Sequence, residues 1–197
     1  IDVHETSFSS LKTYDFSEKL KFLYIVGPHF QYTHKNLQDF TNAMIEMNKL
    51  NLNFEINITL NEGQLLESKA WNDTLNSKTN FLGYIKDSTK VKSLFQNNTI
   101  LVSTSIIETL GLHVIEAIKN GVVTVTPDEE YAKDVYGTRC YSYDLFNMSS
   151  FSKTILNMLN DKEKVAETIL SQQKYLKENE MKKFTNIVDV FRGVLNV

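Results

Sequence analysis

Residues 99–127 constrain the fold more than any other part of the sequence. An apolar run, Thr99–Val102, is followed by a polar turn and a helix-patterned segment, Leu112–Asn120. Gly121 ends that helix, and a second β-branched run, Val122–Thr126, begins at once. Two adjacent strands joined by one helix pair in parallel, because the helix must cross back over one face of the sheet. This chain is therefore expected to build a parallel sheet covered by helices.

The same alternation runs along most of the chain. Patterns typical of strands occur at Leu20–Val26, Phe54–Leu60, Asn80–Ile85, Thr99–Val102, Val122–Thr126 and Arg139–Tyr143. Helical patterns occur at 35–50, 64–75, 88–95, 112–120 and 129–136, and from Ser149 onward with a break at Asn160–Asp161. Ser88 is the expected cap of the third helix. About six parallel strands with helices on both faces predict an α/β, Rossmann-like, doubly wound sheet in three layers with extra C-terminal helices.

Length and composition set the limits of this prediction. The 197 residues are enough for one α/β domain with its own core. We expect a linker at 1–19, a Rossmann-like domain at 20–160 and C-terminal helices at 161–197. The net charge of -3 gives no sign of a nucleic-acid partner. The single cysteine, Cys140, excludes an internal disulfide and a cysteine-rich metal site. No apolar run approaches the ~20 residues of a membrane span.

Polar and glycine residues follow several of the predicted strands. Gly27, Gly83 and the loop 103–111 all come directly after a strand. In an open parallel sheet, ligands bind beyond the carboxyl ends of the strands, so these segments should converge on one cleft. Lys35, at the entrance of the first helix, can reach a phosphate, and His29 is a further candidate hydrogen-bond donor there.

Two carboxylates flank the start of the helix at 112–120. The unpaired N–H groups at a helix N-terminus suit phosphate, whereas Glu108 and Glu116 suit hydroxyl groups, from which a carboxylate accepts hydrogen bonds. Phosphate donors beside hydroxyl acceptors indicate a sugar nucleotide. The competing interpretation is structural: Glu108 is an acid favoured by the helix dipole, and Glu116 is a helix carboxylate packed under the loop.

Other kinds of chemistry find little support in the sequence. There is no G-x-G-x-x-G or Walker motif, which argues against a nicotinamide enzyme or an ATPase. The four histidines show no paired ligand spacing, so no metal site is expected. Ser103 and Ser105 lack the glycines of a nucleophile elbow.

The segment Glu108-Thr-Leu-Gly-Leu-His-Val-Ile-Glu116-Ala117 resembles the E-x7-E signature of retaining GT-B glycosyltransferases of group 1, family 4. Pro28 with His34-Lys35-Asn36 looks like the phosphate loop of that family, and the segment 127–135 is similar to the one after its last core strand. Leu110 stands where an aromatic residue is usual, and Val122 where proline is common. The similarity spans about residues 20–145.

The resemblance implies a role for each matched residue. Glu108 would contact the donor sugar, Glu116 the ribose hydroxyls, and Lys35 the diphosphate, with Glu108 and Lys35 as the catalytic pair. The phosphates would also meet backbone N–H groups of the loop that ends the signature, which adds Gly27, His29, Thr109, Leu110, Gly111 and Leu112 to the donor site. The turn Gly83, Tyr84 and Ile85 would contact the base.

The resemblance also implies a function. The chain looks like the C-terminal, donor-binding domain of an enzyme that transfers a sugar from a nucleotide-sugar to a glycan or lipid-linked acceptor, probably a hexosyltransferase of bacterial surface polysaccharide synthesis. No metal or other cofactor is implied, because Lys35 and helix dipoles neutralise the phosphates. The acceptor would bind an N-terminal domain that these residues lack, and the helices of 161–197 are available to pack toward it. The implied location is the cytoplasm, with at most peripheral contact at the inner face of the membrane.

Two other functions stay open at this point. A GT-B-fold sugar-nucleotide epimerase would share the fold, although the spacing of Glu108 and Glu116 and the His34-Lys35-Asn36 loop argue against it. A non-catalytic sugar-nucleotide-binding module is the second alternative. In the leading interpretation, the chain alone binds a nucleoside diphosphate and transfers nothing.

Overall fold

The computed structural model describes residues 8–27, 31–65, 71 and 73–195, with side chains as far as residue 180. Its strands are β1 (Leu20–Tyr24), β2 (Phe54–Ile58), β3 (Thr79–Phe81), β4 (Thr99–Val102), β5 (Val123–Pro127) and β6 (Tyr141–Tyr143). Its helices are α1 (Leu37–Lys49), α2 (Asp73–Ser77), α3 (Ser88–Ser93), α4 (Leu112–Lys119), α5 (Glu130–Tyr136), α6 (Met148–Leu159) and α7 (Lys162–Leu195). A short 3₁₀ turn, Thr33–Lys35, precedes α1.

The sheet is parallel throughout, in the order β3-β2-β1-β4-β5-β6. Phe22 of β1 is in register with Ile56 of β2 on one side and with Ile100 of β4 on the other. The chain moves outward from β1 to β3, returns to β4 and then moves outward in the opposite direction. This reversal makes the sheet doubly wound, which confirms the predicted α/β, Rossmann-like class.

Helices cover both faces of the sheet. Side chains alternate between the two faces along a strand, so Phe22 and Tyr24 of β1 point to one side and Leu23 to the other. Phe22 and Tyr24 pack in a core with Phe40 of α1, whose ring stacks on Tyr24 at 4.1 Å between centroids. Leu23 packs in a second core with Val114 of α4. Burial on both faces explains why the strands read as continuous apolar runs.

The segment 8–19 is packed against the edge where the strands begin. The Tyr14 hydroxyl donates to the carbonyl of Thr99 at 3.0 Å and accepts from the amide of Val123 at 2.7 Å. These two residues begin β4 and β5, so one buried phenol joins the leading segment to two neighbouring strands.

The long helix α7 packs on α4 and α5 along the part whose side chains are described. Gln173 Nε2 donates to the carbonyl of Ile118 at 2.9 Å, and Tyr175 Oη donates to that of Asp134 at 2.7 Å. Leu176 is buried between them in the second core. No helix in the described part of the chain is both long and apolar enough to cross a membrane.

Two local predictions differ from the structure. The cap of α3 is Asp87, whose side chain accepts from the amide of Thr89 at 2.8 Å, and Ser88 is already helical. The predicted helix at 64–75 is also wrong in its described part, because α2 begins only at Asp73. Gln64 instead folds back, and its Oε1 accepts from the amide of Asn61 at 2.6 Å, which holds a turn. Residues 66–70 and 72 lie outside the described residues.

The position of Tyr14 gives a stability prediction. Tyr14→Phe leaves the Val123 amide and the Thr99 carbonyl without this partner in a buried place, so the free energy of unfolding should fall by about 1–3 kcal/mol. Urea denaturation measures the change. Tyr84→Phe, at a tyrosine that is 51% exposed, is the matched control and should unfold like wild type. Equal stability of Tyr14→Phe and wild type would contradict the bridging role.

Candidate functional site

The candidate site lies where the order of the sheet reverses. β1 and β4 are neighbours, and their connections leave in opposite directions, so a crevice opens between the carboxyl ends of these two strands. The segment that ends in the turn Thr33–Lys35 follows β1, and the loop 103–111 follows β4. The two segments in which the sequence placed its cation and its first acid therefore face each other.

Buried hydroxyl groups join these two segments. The Tyr24 hydroxyl lies 3.0 Å from the carbonyl oxygen of Lys35 and 3.0 Å from Thr104 Oγ1. The Thr104 hydroxyl is also 3.1 Å from the same carbonyl of Lys35. The amide of Ile106 donates to the carbonyl of His34 at 2.8 Å. The backbone around Lys35 is thus fixed to the loop after β4.

Asn36 sets the direction of the chain between the turn and α1. Its φ of 48° places it in the left-handed region, which asparagine tolerates better than most residues. Its amide donates to the carbonyl of Thr33 at 3.1 Å, closing the turn, and its own carbonyl accepts from the amide of Asp39 at 3.1 Å, starting α1. This sharp change of direction leaves Lys35 at the edge of the crevice.

Lys35 and Glu108 form an ion pair across the crevice. The ammonium of Lys35 contacts Glu108 Oε1, and Ser105 Oγ donates to the same oxygen at 2.8 Å. Burial raises the pKa of Glu108, but the hydrogen bonds from Lys35 and Ser105 and the charge of Lys35 outweigh it and hold that pKa below its usual value. Glu108 is therefore ionised at neutral pH. Both contacts use Oε1, so within the described residues Oε2 accepts no hydrogen bond and is available to a ligand.

The helix α4 begins beside this pair with free backbone donors. Gly111 caps the helix, and its carbonyl accepts from the amides of Val114 and Ile115. The amides of Leu112 and His113 donate to no described residue, and no side chain caps them. Such unpaired N–H groups at the positive end of a helix form an anion site. Lys35 and this helix end together can neutralise a diphosphate.

His113 stands in the first turn of α4, close to both charged groups. Burial lowers its pKa to about 4, with the charge of Glu108 acting in the opposite direction and that of Lys35 in the same direction. The ring is therefore neutral at physiological pH. A neutral imidazole keeps both a donor and an acceptor nitrogen for a ligand.

Glu116 lies one turn further along α4. Residues three and four apart share a helix face, so it stands on the side of His113 and of Leu112, which is 62% exposed. Its carboxylate makes no hydrogen bond or ion pair with the residues whose side chains are described. It can therefore accept hydrogen bonds from a ligand that extends along the helix.

Two tyrosines of α5 support the loop 103–111 from below. Tyr131 Oη donates to the carbonyl of Ser105 near the start of the loop. At its end, Gly111 has a φ of +52°, and a β-carbon built there would lie 1.6 Å from Tyr136 Oη. Only glycine fits this place. The glycine of the signature is thus required by contact with Tyr136 as well as by its backbone conformation.

The other predicted site residues are spread more widely. Thr109 and Leu110 are exposed on the loop, and Gly27 is exposed after β1. The turn Gly83–Ile85 follows β3, which β2 separates from β1. Gly83 has a φ of +66° and its amide donates to the carbonyl of Leu60 at 3.0 Å, so the turn is anchored to the end of β2. His29 lies outside the described residues.

Several residues of the site escaped the sequence analysis. Tyr24 reads as one more apolar position of a strand, and Thr104 as part of a polar turn, so their hydrogen bonds could not be predicted. Tyr131 and Tyr136 are five residues apart on α5, a spacing with no motif attached. His113 was noticed only as an unpaired histidine, although its place inside the signature was a usable signal.

Two further features bear on ligand binding. No group of three or more His, Cys, Asp or Glu side chains in the described residues could hold a metal ion. A cleft of about 490 Å³ lies at the start of β6, between α6 and α7, lined in part by Arg139, Tyr141, Lys164 and Thr168. It opens where β6 begins, whereas Lys35 and Glu108 lie where β1 and β4 end. Volume alone would favour this cleft, but the converging charges and free helix donors are at the crevice.

The strand order and the crevice define the class of the protein: an open, doubly wound α/β domain of the Rossmann type, a class that binds nucleotides at this point of the sheet. The family follows from the sequence. The family model for "Glycosyl transferases group 1" matches residues 12–181. The chain therefore belongs to the group 1 glycosyltransferases, as the resemblance predicted.

Solved structures share this fold. TarM of S. aureus, in a complex with UDP, α-GlcNAc-glycerol and fondaparinux, is 19% identical with a TM-score of 0.69, and the match covers 91% of this chain and 37% of TarM. The catalytic domain of cholesterol-α-glucosyltransferase from Helicobacter pylori is 18% identical with a TM-score of 0.61, covering 82% of this chain and 97% of that domain.

The C-terminal domain of the group 1 glycosyltransferase LpcC from Francisella tularensis is 16% identical with a TM-score of 0.58, covering 81% of this chain and 82% of that domain. This chain thus has the fold of a GT-B C-terminal domain and spans less than two fifths of the length of TarM. No curated protein sequence matches the chain significantly.

The lowered pKa of His113 predicts how stability depends on pH. The unfolded chain binds a proton at this residue near pH 6.5, whereas the folded protein binds it only near pH 4. The free energy of unfolding should therefore decline as the pH falls from 6.5 to 4. His113→Gln should remove about 1–2 kcal/mol of that decline, allowing for the partial exposure of the ring. Urea denaturation at a series of pH values measures it, and an unchanged decline in the variant would contradict the burial of a neutral His113.

Proposed function

We propose that this chain is the donor-binding half of a retaining GT-B glycosyltransferase. It holds a nucleoside-diphosphate sugar, and the sugar passes to a glycan or lipid-linked acceptor bound by the rest of the enzyme. The observation that carries the proposal is the meeting of Lys35, Glu108 and the free N-terminus of α4 at the β1–β4 crevice. A cation, an anion site and a hydroxyl acceptor at one place match the parts of a sugar nucleotide.

The diphosphate would bind between Lys35 and the first turn of α4. The amides of Leu112 and His113 would donate to its oxygens, and the Lys35 ammonium would supply the countercharge. When the bond between sugar and phosphate breaks, negative charge grows on the leaving diphosphate. Donors already held in place stabilise this charge without reorganising, which is the electrostatic contribution to the rate. The residues present suffice for this without a metal.

The two acids would recognise the two sets of hydroxyl groups. Glu108 is ionised and rigidly placed, and its Oε2 can accept from the sugar. Glu116, one turn further along the helix, can accept from the ribose. The turn Gly83–Ile85, at the same edge of the sheet, would lie against the base. Gly27 and the loop residues Thr109 and Leu110 would line the path between these groups.

The ion pair has a consequence for binding. In the free protein Glu108 neutralises Lys35, so a diphosphate must compete with this carboxylate for the ammonium. A donor sugar repays that competition, because its hydroxyl groups give Glu108 new partners. The site should therefore discriminate between a complete sugar nucleotide and a nucleoside diphosphate alone.

The wider setting is also part of the proposal. TarM was solved with UDP and an α-linked GlcNAc product, and the Helicobacter pylori protein is an α-glucosyltransferase. Donors of this class and a role in bacterial surface polysaccharide synthesis in the cytoplasm, at or near the membrane surface, fit such relatives. The acceptor site would lie on an N-terminal domain, with the helices of 161–197 packed toward it.

Calorimetry with UDP, GDP and their hexose derivatives tests the donor site. Lys35→Met should weaken binding of the nucleotide that wild type prefers by about ten- to a hundredfold, because a charge-assisted hydrogen bond is worth about 1.5–3 kcal/mol. Glu108→Gln should bind the nucleoside diphosphate alone at least as well as wild type and lose most of the gain that the sugar provides. Lys49→Met, at an exposed lysine that pairs with Glu46, is the matched control and should bind like wild type.

Two results would count against this function. Absence of binding to every nucleotide at millimolar concentration would overturn the donor site. Sugar transfer by the isolated chain to a simple acceptor would overturn the claim that this is half of an enzyme, while leaving the donor site intact.

A further inference from the structure

The hydroxyl of Tyr136 is buried without a hydrogen-bond partner. Tyr136 ends α5 and is fully buried, and its Oη makes no hydrogen bond with the described residues. Burial raises the pKa of this phenol, so the hydroxyl keeps its proton and stays a donor. A buried donor without a partner destabilises a protein, and it is uncommon enough to need an explanation.

The place of this hydroxyl supplies one. It lies against Gly111, at the end of the loop 103–111, where even a methyl group would clash with it. Tyr131, on the same helix, donates to the carbonyl of Ser105 near the start of the loop. The helix α5 thus holds one end of the loop with a hydrogen bond and meets the other end with a donor that is not used.

The peptide group between Leu110 and Gly111 is free to use this donor. Neither the carbonyl of Leu110 nor the amide of Gly111 makes a hydrogen bond with the described residues. Glycine at position 111 allows this peptide to rotate, because both signs of φ are open to it. In a trans peptide the C=O and N–H bonds point in opposite directions. If the carbonyl turns toward Tyr136, the Gly111 amide turns away from it, toward the crevice.

We propose that Tyr136 is a positioning residue for the donor: when the sugar nucleotide binds, its hydroxyl donates to the carbonyl of Leu110, and the Gly111 amide joins those of Leu112 and His113 at the diphosphate. The inference rests on the proposed function, because it assumes a diphosphate at this helix end. It explains both the unused buried donor and the glycine that faces it. The binding of the ligand supplies the free energy that orients the peptide.

Tyr136→Phe tests the proposal because it removes only the hydroxyl. In the free protein the variant should be at least as stable as wild type, since the lost donor had no partner. Its affinity for the nucleotide that wild type prefers, UDP or GDP, should be about threefold to tenfold lower, the effect of one neutral hydrogen bond. Tyr143→Phe is the matched control, because Tyr143 is also buried with an unpartnered hydroxyl but packs in the core on the other face of the sheet. It should bind the nucleotide like wild type.

A spectroscopic measurement separates positioning from mere packing. The chain has seven glycines, so protein labelled with ¹⁵N-glycine gives a simple amide spectrum. Saturating nucleotide should shift the Gly111 signal strongly in wild type and in Tyr143→Phe, and much less in Tyr136→Phe. Wild type that binds neither UDP nor GDP refutes the proposed function itself. Wild type and Tyr136→Phe with equal affinity and equal Gly111 shifts refute only the role of Tyr136, as does a Tyr136→Phe variant that is less stable than wild type.

Discussion

The parallel pairing of β1 with β4 is the constraint on which the rest of the structure depends. Lys35 and Glu108 are 73 residues apart in the chain, and they meet only because the strands before them lie side by side and end at the same edge. The buried hydroxyls of Tyr24 and Thr104 then fix the two following segments to each other. A charge pair in the crevice is thus held by the backbone and not by the flexible lysine side chain.

Electrostatics gives this arrangement its character. The free crevice holds an ionised carboxylate, the lysine that neutralises it, a neutral imidazole and unpaired amides at a helix N-terminus. Each is a group that a sugar nucleotide would use, and in the free protein they partly satisfy one another. Binding would exchange these internal partners for ligand groups. On this account specificity for the complete donor comes from the cost of separating Lys35 from Glu108.

The sequence predicted the fold well and the connections within the site poorly. Alternating apolar runs and helix periods specify a parallel sheet because burial on both faces leaves a visible pattern, as in Thr99–Val102. The E-x7-E signature identified the family, and the family model agrees. The bonds of Tyr24 to Lys35 and Thr104 depend on strand order, which no local pattern records. The cap of α3 and the turn at Gln64 failed because several polar side chains competed for the same backbone groups.

A structure of the chain with a nucleoside diphosphate tests the central claim most directly. The account predicts that the diphosphate lies between Lys35 and the first turn of α4, with the Lys35 ammonium turned from Glu108 toward a phosphate oxygen. A nucleotide bound in the cleft at the start of β6, or one bound at the crevice with the ion pair of Lys35 and Glu108 unchanged, would contradict it.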